Sequence, residues 1–321
     1  VLRVLRRRLL LAVPLLLGVV VMNFLLIQAA PGTLLDVISA DQQITDAATL
    51  AHLRHVFGVD QPVWLQLLHY IAALAQGDFG FSYRQNMPVL QAILQRLPAT
   101  LLLMLAALGI ALLLGVGAGI LAASKVRTLW DTLVSVLAVV CFAAPSFWLG
   151  IMLIILFSVK LGWLPVGGIH TAGAPSGFFN DVADVARHLV LPAFSLGLFY
   201  AAVYARLMRS SMLEVALLDF VRTARAKGLG RLHVTLMHIA RNALLPVVTL
   251  LGLQLGTVLG GSVVIESVFS WPGIGTLLFD SVSSRNYPVV LGILVFSAVV
   301  VIVVNMLVDL AYLRLDPRTR R

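Results

Sequence analysis

Residues 99–123 read ATLLLMLAALGIALLLGVGAGILAA, a run without a single charge. A helix over this run, rising 1.5 Å per residue, is long enough to cross the ~30 Å hydrocarbon core of a bilayer. Its glycines, Gly109, Gly115, Gly117 and Gly119, leave room for another helix to approach closely. Five more runs share this character, near residues 9–29, 132–157, 188–208, 244–265 and 288–313. The expected fold is therefore an all-α integral membrane protein with six transmembrane helices. Composition agrees. The 321 residues are 60% apolar and 12% charged, where soluble domains carry about 25% charge. A mean hydropathy of +1.00 excludes a secreted disulfide scaffold, a disordered chain and an ordinary cytosolic enzyme.

Basic residues orient the spans. Arg3, Arg6, Arg7 and Arg8 precede the first run, and Lys125 and Arg127 follow the second. Arg206, Arg209, Arg222, Arg225, Lys227, Arg231 and Arg241 lie around the loop after the fourth. Arg314, Arg318, Arg320 and Arg321 end the chain. Seventeen of the 23 basic residues thus fall on one side, and the positive-inside rule makes that side cytoplasmic, with both termini inside. The net charge of +9 is explained by this bias and needs no nucleic acid. The first run is read as an uncleaved span, because its apolar length of about 20 residues exceeds the usual 7–15 of a signal peptide.

Two segments lie outside the membrane. From Pro31 to Pro98 the chain is extracytoplasmic, with helical periodicity over 46–57 and 62–75 and a turn at Gly77-Asp78-Phe79-Gly80. The division read from this is 1–98, a first span plus a small helical extracytoplasmic segment, and 99–321, the membrane core. The second segment, about 211–246, is a cytoplasmic loop between spans four and five.

Much chemistry is absent from the sequence. No G-x-x-x-x-G-K-[ST] loop, H-E-x-x-H or G-x-S-x-G motif occurs. Glu214 and Glu266 are the only glutamates, and the span centres are almost free of ionisable groups, unlike those of proton-coupled carriers. Asn23 and Asn305 are read as interhelical hydrogen-bonding groups, with a substrate contact as the alternative. The single cysteine, Cys141, excludes an intrachain disulfide. His52 and His55 are spaced i, i+3, and are read as a solvated helix face rather than a metal site. No catalytic or metal-ligating set is assigned. The chain reads as a passage without an engine.

The cytoplasmic loop offers a docking surface. Ser211 to Gly228 is read as one amphipathic helix with Leu213, Leu217, Phe220 and Ala224 as its apolar stripe. Asp219 and Arg222 pair on the wet face. Gly228-Leu229-Gly230 breaks the helix, and a second short helix is expected over Arg231–Asn242, with Pro246 at the entrance to the next span. The stripe fits either the protein's own spans or a groove on a cytoplasmic partner.

Arg222-Thr223-Ala224-x-x-x-Gly228, with Pro246 eighteen residues after the glycine, resembles the coupling loop of ABC-importer permeases. The variant Asp219-Phe220-Val221-Arg222-Thr223-Ala224-Arg225-Ala226-Lys227-Gly228 is similar to that of the dipeptide/oligopeptide permease family. Further matches are Gly77-Asp78-Phe79-Gly80-x-Ser82, Pro145-Ser146-Phe147, Gly162-Trp163-Leu164-Pro165, His188-Leu189-Val190-Leu191-Pro192, Gly260-Gly261, Glu266-x-x-Phe269-x-Trp271-Pro272-Gly273-x-Gly275, Tyr287-Pro288 and Leu315-Asp316-Pro317-Arg318. Two departures stand out: Arg222 replaces the glutamate of the general motif, and Thr33 follows Pro31-Gly32 where the family has Asp.

The resemblance implies a pore subunit of a bacterial inner-membrane importer. Its partners would be a second homologous permease, two cytoplasmic ATP-binding subunits and an extracytoplasmic solute-binding protein. ATP and Mg would sit on the partner subunits, with no cofactor on this chain. Asp219, Arg222, Thr223, Ala224, Arg225, Lys227 and Gly228 would form the coupling site; Arg225 and Lys227 also fit a basic face turned to lipid headgroups. Glu266, Trp271, Pro272, Gly273 and Gly275 would form either a rigid turn or the external mouth that meets the binding protein. Two other classes make different predictions. A stand-alone carrier needs no ATPase and wants charged groups in its spans. A membrane enzyme needs a convergent catalytic set.

Overall fold

The computed structural model describes residues 2–29, 61–173, 177–256 and 262–315. Helix α1 (Leu2–Ala29) is followed by α2 (Val63–Ala75) and a minimal hairpin, β1 (Phe81–Ser82) with β2 (Met87–Pro88). Next come α3 (Val89–Ser124), α4 (Leu129–Ala143) and α5 (Ser146–Leu153, continued as a π-wound segment Ile154–Lys160). Helix α6 (Phe178–Val215) leads to the short α7 (Asp219–Ala226). Helix α8 comprises Arg231–His233, a π-wound Val234–Ala240 and Arg241–Gly256. Helices α9 (Val263–Val268), α10 (Ile274–Ser283) and α11 (Tyr287–Leu315) complete the order.

The protein is an all-α membrane protein. Among the described residues, α3, α6, α8 and α11 are long and apolar enough to cross a bilayer, and α4 with α5 makes a fifth span if the bent pair counts as one. Helix α1 carries a shorter apolar stretch, Leu10–Leu26. The runs expected at 9–29, 99–123, 188–208 and 288–313 fall within α1, α3, α6 and α11.

Two expectations change. The run at 132–157 reads as a single span, which Pro145 inside it should kink. The chain instead breaks there, and the two halves meet at 103°. The physical reason is the restriction that proline places on the residue before it: Ala144 is extended (φ −75°, ψ 131°), and Pro145 heads a new helix. The span at 244–265 starts earlier, because α8 is helical from Arg231. The separate helix expected over Arg231–Asn242 is the first part of α8, and Pro246 lies inside it. The helix expected over 46–57, with His52 and His55, lies outside the described residues, as do Thr33, Gly260, Gly261, Asp316 and Arg318.

The chain forms two compact units, residues 1–98 with 273–321, and residues 99–272. In the first, Gly77 (φ +80°) and Gly80 (φ +87°) shape the turn before the hairpin, with Gly80 N–H donating to the Asp78 carboxylate at 2.8 Å. The Ser82 hydroxyl at its base is buried and accepts from Asn286 Nδ2 at 2.8 Å. The motif Gly77-Asp78-Phe79-Gly80-x-Ser82 therefore builds a staple between the hairpin and the start of α11.

In the second unit α3 and α6 run parallel in close contact. A Cβ on Gly115 would lie 2.6 Å from the Ala201 carbonyl oxygen, and one on Gly119 would lie 2.8 Å from that of Ala205. Gly109 and Gly117 have open space instead. So two of the four glycines make the helix contact, at the i, i+4 spacing of small-residue interfaces in membranes.

Candidate coupling site

Helix α6 ends at Val215, and the Ala216–Leu218 turn sets α7 at a new phase. The sequence favours α7 locally: Asp219 in its first turn and Arg225 in its last both complement the helix dipole. An eight-residue helix is marginal alone, so packing must hold it. Val221 and Ala224 are buried against Met208 and Met212 of α6 and Val234, Ile239 and Ala240 of the π-wound part of α8.

The stripe expected at Leu213, Leu217, Phe220 and Ala224 is therefore out of register. It assumed one continuous helix, and the turn at 216–218 shifts the phase. Leu217 is 71% exposed, and Leu218 and Phe220 are exposed as well. The inward pair is Val221 and Ala224, while Leu217, Leu218, Phe220, Leu229 and Leu232 leave an apolar patch on the surface of the knob.

The other residues of the segment are exposed. Arg222 Nη1 lies 3.4 Å from Asp219 Oδ1, both side chains open to solvent, a pair of the kind that adds little stability. Thr223 Oγ1 donates to the Asp219 carbonyl at 3.0 Å. Gly228 has φ +77°. The Gly228 N–H donates to Arg225 O, and the Leu229 N–H donates back to Ala224 O at 3.4 Å, the pattern of a Schellman stop. All seven residues of the segment thus sit on one short helix and its stop. Behind it lies a cavity of about 430 Å³ whose walls include Met212, Leu229, Thr235, Arg225 and Arg231.

Comparison with known families decides what this segment belongs to. Residues 115–321 match the family described as binding-protein-dependent transport system inner membrane component, and residues 1–104 match the N-terminal family of the same membrane components. The chain belongs to this permease family. It is 42% identical to the di/tripeptide transport system permease protein DppB of Pseudomonas aeruginosa over 328 residues, covering 98% of this chain and 97% of the relative. The oligopeptide transport system permease protein AppB of Bacillus subtilis is 40% identical over 313 residues, covering 97% of each. The dipeptide transport system permease protein DppB of Escherichia coli is 39% identical over 331 residues, covering 98% and 97%. The permease is thus a multi-pass inner-membrane pore subunit of an ABC transporter and not an enzyme.

The Glu266–Gly275 motif of the permease is built as a buried lock. Glu266 is fully buried, and its Oε1 accepts from Thr100 Oγ1 at 2.8 Å and Ser262 Oγ at 2.7 Å. Trp271 is also fully buried and donates Nε1–H to the Ala99 carbonyl at 2.8 Å. Between them α9 is closed by Trp271 N–H donating to Glu266 O at 2.8 Å, with Ser270 at φ +49° and Pro272 directly after, a helix stop followed by proline. Gly273 caps α10, and Gly275 is buried in its first turn. The side chains of Glu266 and Trp271 are spent on internal contacts, which favours the rigid-turn reading of this motif over direct contact with a binding protein. Among the described residues no cluster of three metal-ligating side chains occurs.

Sequence reading missed the partners of these groups. Thr100 and Ser262 look like ordinary hydroxyls in apolar surroundings. The Phe269 carbonyl, which accepts from the Gly168 N–H at 2.8 Å, carries no signal in the sequence either.

Proposed function

We propose that the permease forms half of the pore of an ATP-driven importer of small peptides. A second related permease forms the other half, and two cytoplasmic ATP-binding subunits, which hold ATP and Mg, drive it. A solute-binding protein delivers the peptide from outside. The relatives' names support the peptide as cargo. The charge bias of the loops supports six spans with both termini inside.

The observation that carries the reading is α7: a short helix fixed by two buried residues, stopped by a left-handed glycine, and capped outward by an unpartnered apolar patch. That patch is what a groove on an ATPase would cover. Asp219, Arg222, Thr223, Ala224, Arg225, Lys227 and Gly228 form the coupling site. Closure of the ATPases draws this helix inward and rocks the bundle so that the path opens to the other side. Glu266, Trp271, Pro272, Gly273 and Gly275 stiffen the outer mouth from within.

A protection experiment tests the docking. In a Cys141→Ser background, Thr223→Cys is expected to react with a membrane-impermeant maleimide from the cytoplasmic side only. Bound ATPase subunits are expected to slow labelling sharply, because the core of an interface excludes solvent and reagent. Labelling from the outer side, or equal labelling with the ATPases bound, contradicts the reading.

A further inference from the structure

We propose that Asp131 and Arg209 form the strut that carries movement of the coupling helix into the broken span α4–α5. The proposal rests on the coupling reading of α7. Arg209 lies on α6 between Met208 and Met212, both of the cluster on which α7 is seated. Its Nε donates to Asp131 Oδ1 at 2.7 Å and its Nη2 to Asp131 Oδ2 at 3.0 Å. A third donor, the Arg127 backbone N–H, reaches Oδ2 at 3.0 Å from a residue held at φ +60°. Both carboxylate oxygens are thus engaged, by α6 on one side and by the α3–α4 turn on the other. The Asp131 side chain is only 9% exposed and that of Arg209 32%.

Two features separate this pair from an ordinary surface ion pair. The two-pronged geometry fixes direction as well as distance, which a lysine cannot do. It also joins two elements at a single point, the start of α4 and the α7 end of α6. What it adds is a directed tether on the first turn of α4. That helix then runs to the break at Ala144–Pro145. There a cavity of about 210 Å³ opens among Phe142, Ser146, Leu196, Phe199 and Tyr200. Phe142 of α4 stacks on Phe199 of α6 with ring centroids 5.6 Å apart. Displacing the α7 end of α6 moves Arg209, Asp131 makes α4 follow, and the stack at the break shears.

The test uses the whole importer in proteoliposomes and reads labelled dipeptide moved per ATP hydrolysed. Asp131→Asn and Arg209→Gln are each expected to keep the ATPase subunits bound and hydrolysing. Transport per ATP should fall at least ~5-fold, the lower end of ordinary coupling between sites. Arg209→Lys should fall too, because it keeps the charge but loses the fork. An unchanged ratio in the single variants overturns the proposal. Should the neutral variants not assemble, Arg209→Lys decides alone: a wild-type ratio in it overturns the strut. Failure of the coupling reading shows differently, as a wild-type permease that retains no ATPase at all.

Discussion

Replacing Gly228 with valine is expected to abolish retention of the ATPase subunits while leaving the permease in the membrane. No neighbour lies within 4 Å of a Cβ at this position, so nothing is crowded and the whole effect lies in the backbone. Gly228 sits at φ +77°, where an L-residue costs ~1–2 kcal/mol and a β-branched one more. The local structure has little to spend against that. Burying Val221 and Ala224 stabilises α7 by about 2–3 kcal/mol at most, and the helix is too short to form alone. The stop at Gly228 is therefore expected to unwind and to take the orientation of the exposed patch with it. Asparagine tolerates the left-handed region, so Gly228→Asn should keep most ATPase binding. Copurification from solubilised membranes reads both variants. Equal loss in valine and asparagine would point to a side-chain effect in the partner groove instead of the backbone.

The second large effect lies in the contact of α3 with α6. A Cβ on Gly119 would fall 2.7 Å from Met208 Cβ and 2.8 Å from the Ala205 carbonyl oxygen, and one on Gly115 2.7 Å from Tyr204 Cβ. Because backbone atoms are among the obstacles, no rotamer change relieves the clash, and the helices must separate. Gly119→Val is expected to destabilise the permease by ~3 kcal/mol, at the upper end of overpacking costs. In practice this means lost folded protein after detergent extraction. Gly117→Ala has open space around it and should be neutral or slightly stabilising, as alanine is the better helix former by ~1 kcal/mol. Thermal unfolding in detergent separates the two. A Gly117→Ala as harmful as Gly119→Val would mean that another face of α3 makes the contact. The movement proposed for coupling passes along α6, so a seam that must stay close-packed beneath Met208 is consistent with rigid-body transmission.

Legibility in the sequence followed the physics of each feature. Spans such as 99–123 could be read because apolar length is a one-dimensional property. The glycines pointed to helix contact, but which of them make it depends on helix rotation, and only Gly115 and Gly119 do. Pro145 signalled a disturbance without its size, since a proline in a helix produces either a kink or a full break. The apolar stripe of the coupling segment failed because a short turn at 216–218 resets helical phase, so Val221 faces inward where Phe220 was expected. Gly228 was readable because a helix stop before Leu229-Gly230 wants a residue that tolerates positive φ, which glycine does best. The Asp131–Arg209 pair was not, as its partners lie 78 residues apart and neither carries a local motif. The resemblance left Glu266 open between a rigid turn and the external mouth. Its hydroxyl partners Thr100 and Ser262 carry no signal of their own, so its burial could not be read.

The central claim is that energy reaches this chain by contact and not through groups of its own. Uptake of a labelled dipeptide into proteoliposomes tests it most directly. Vesicles hold the permease pair with or without the ATP-binding subunits, with ATP on the side that faces α7 and the binding protein on the other. Accumulation only when ATPase subunits, ATP and binding protein are all present is the predicted result. Uptake at a comparable rate by the permeases alone would contradict the account and make the chain a channel or carrier.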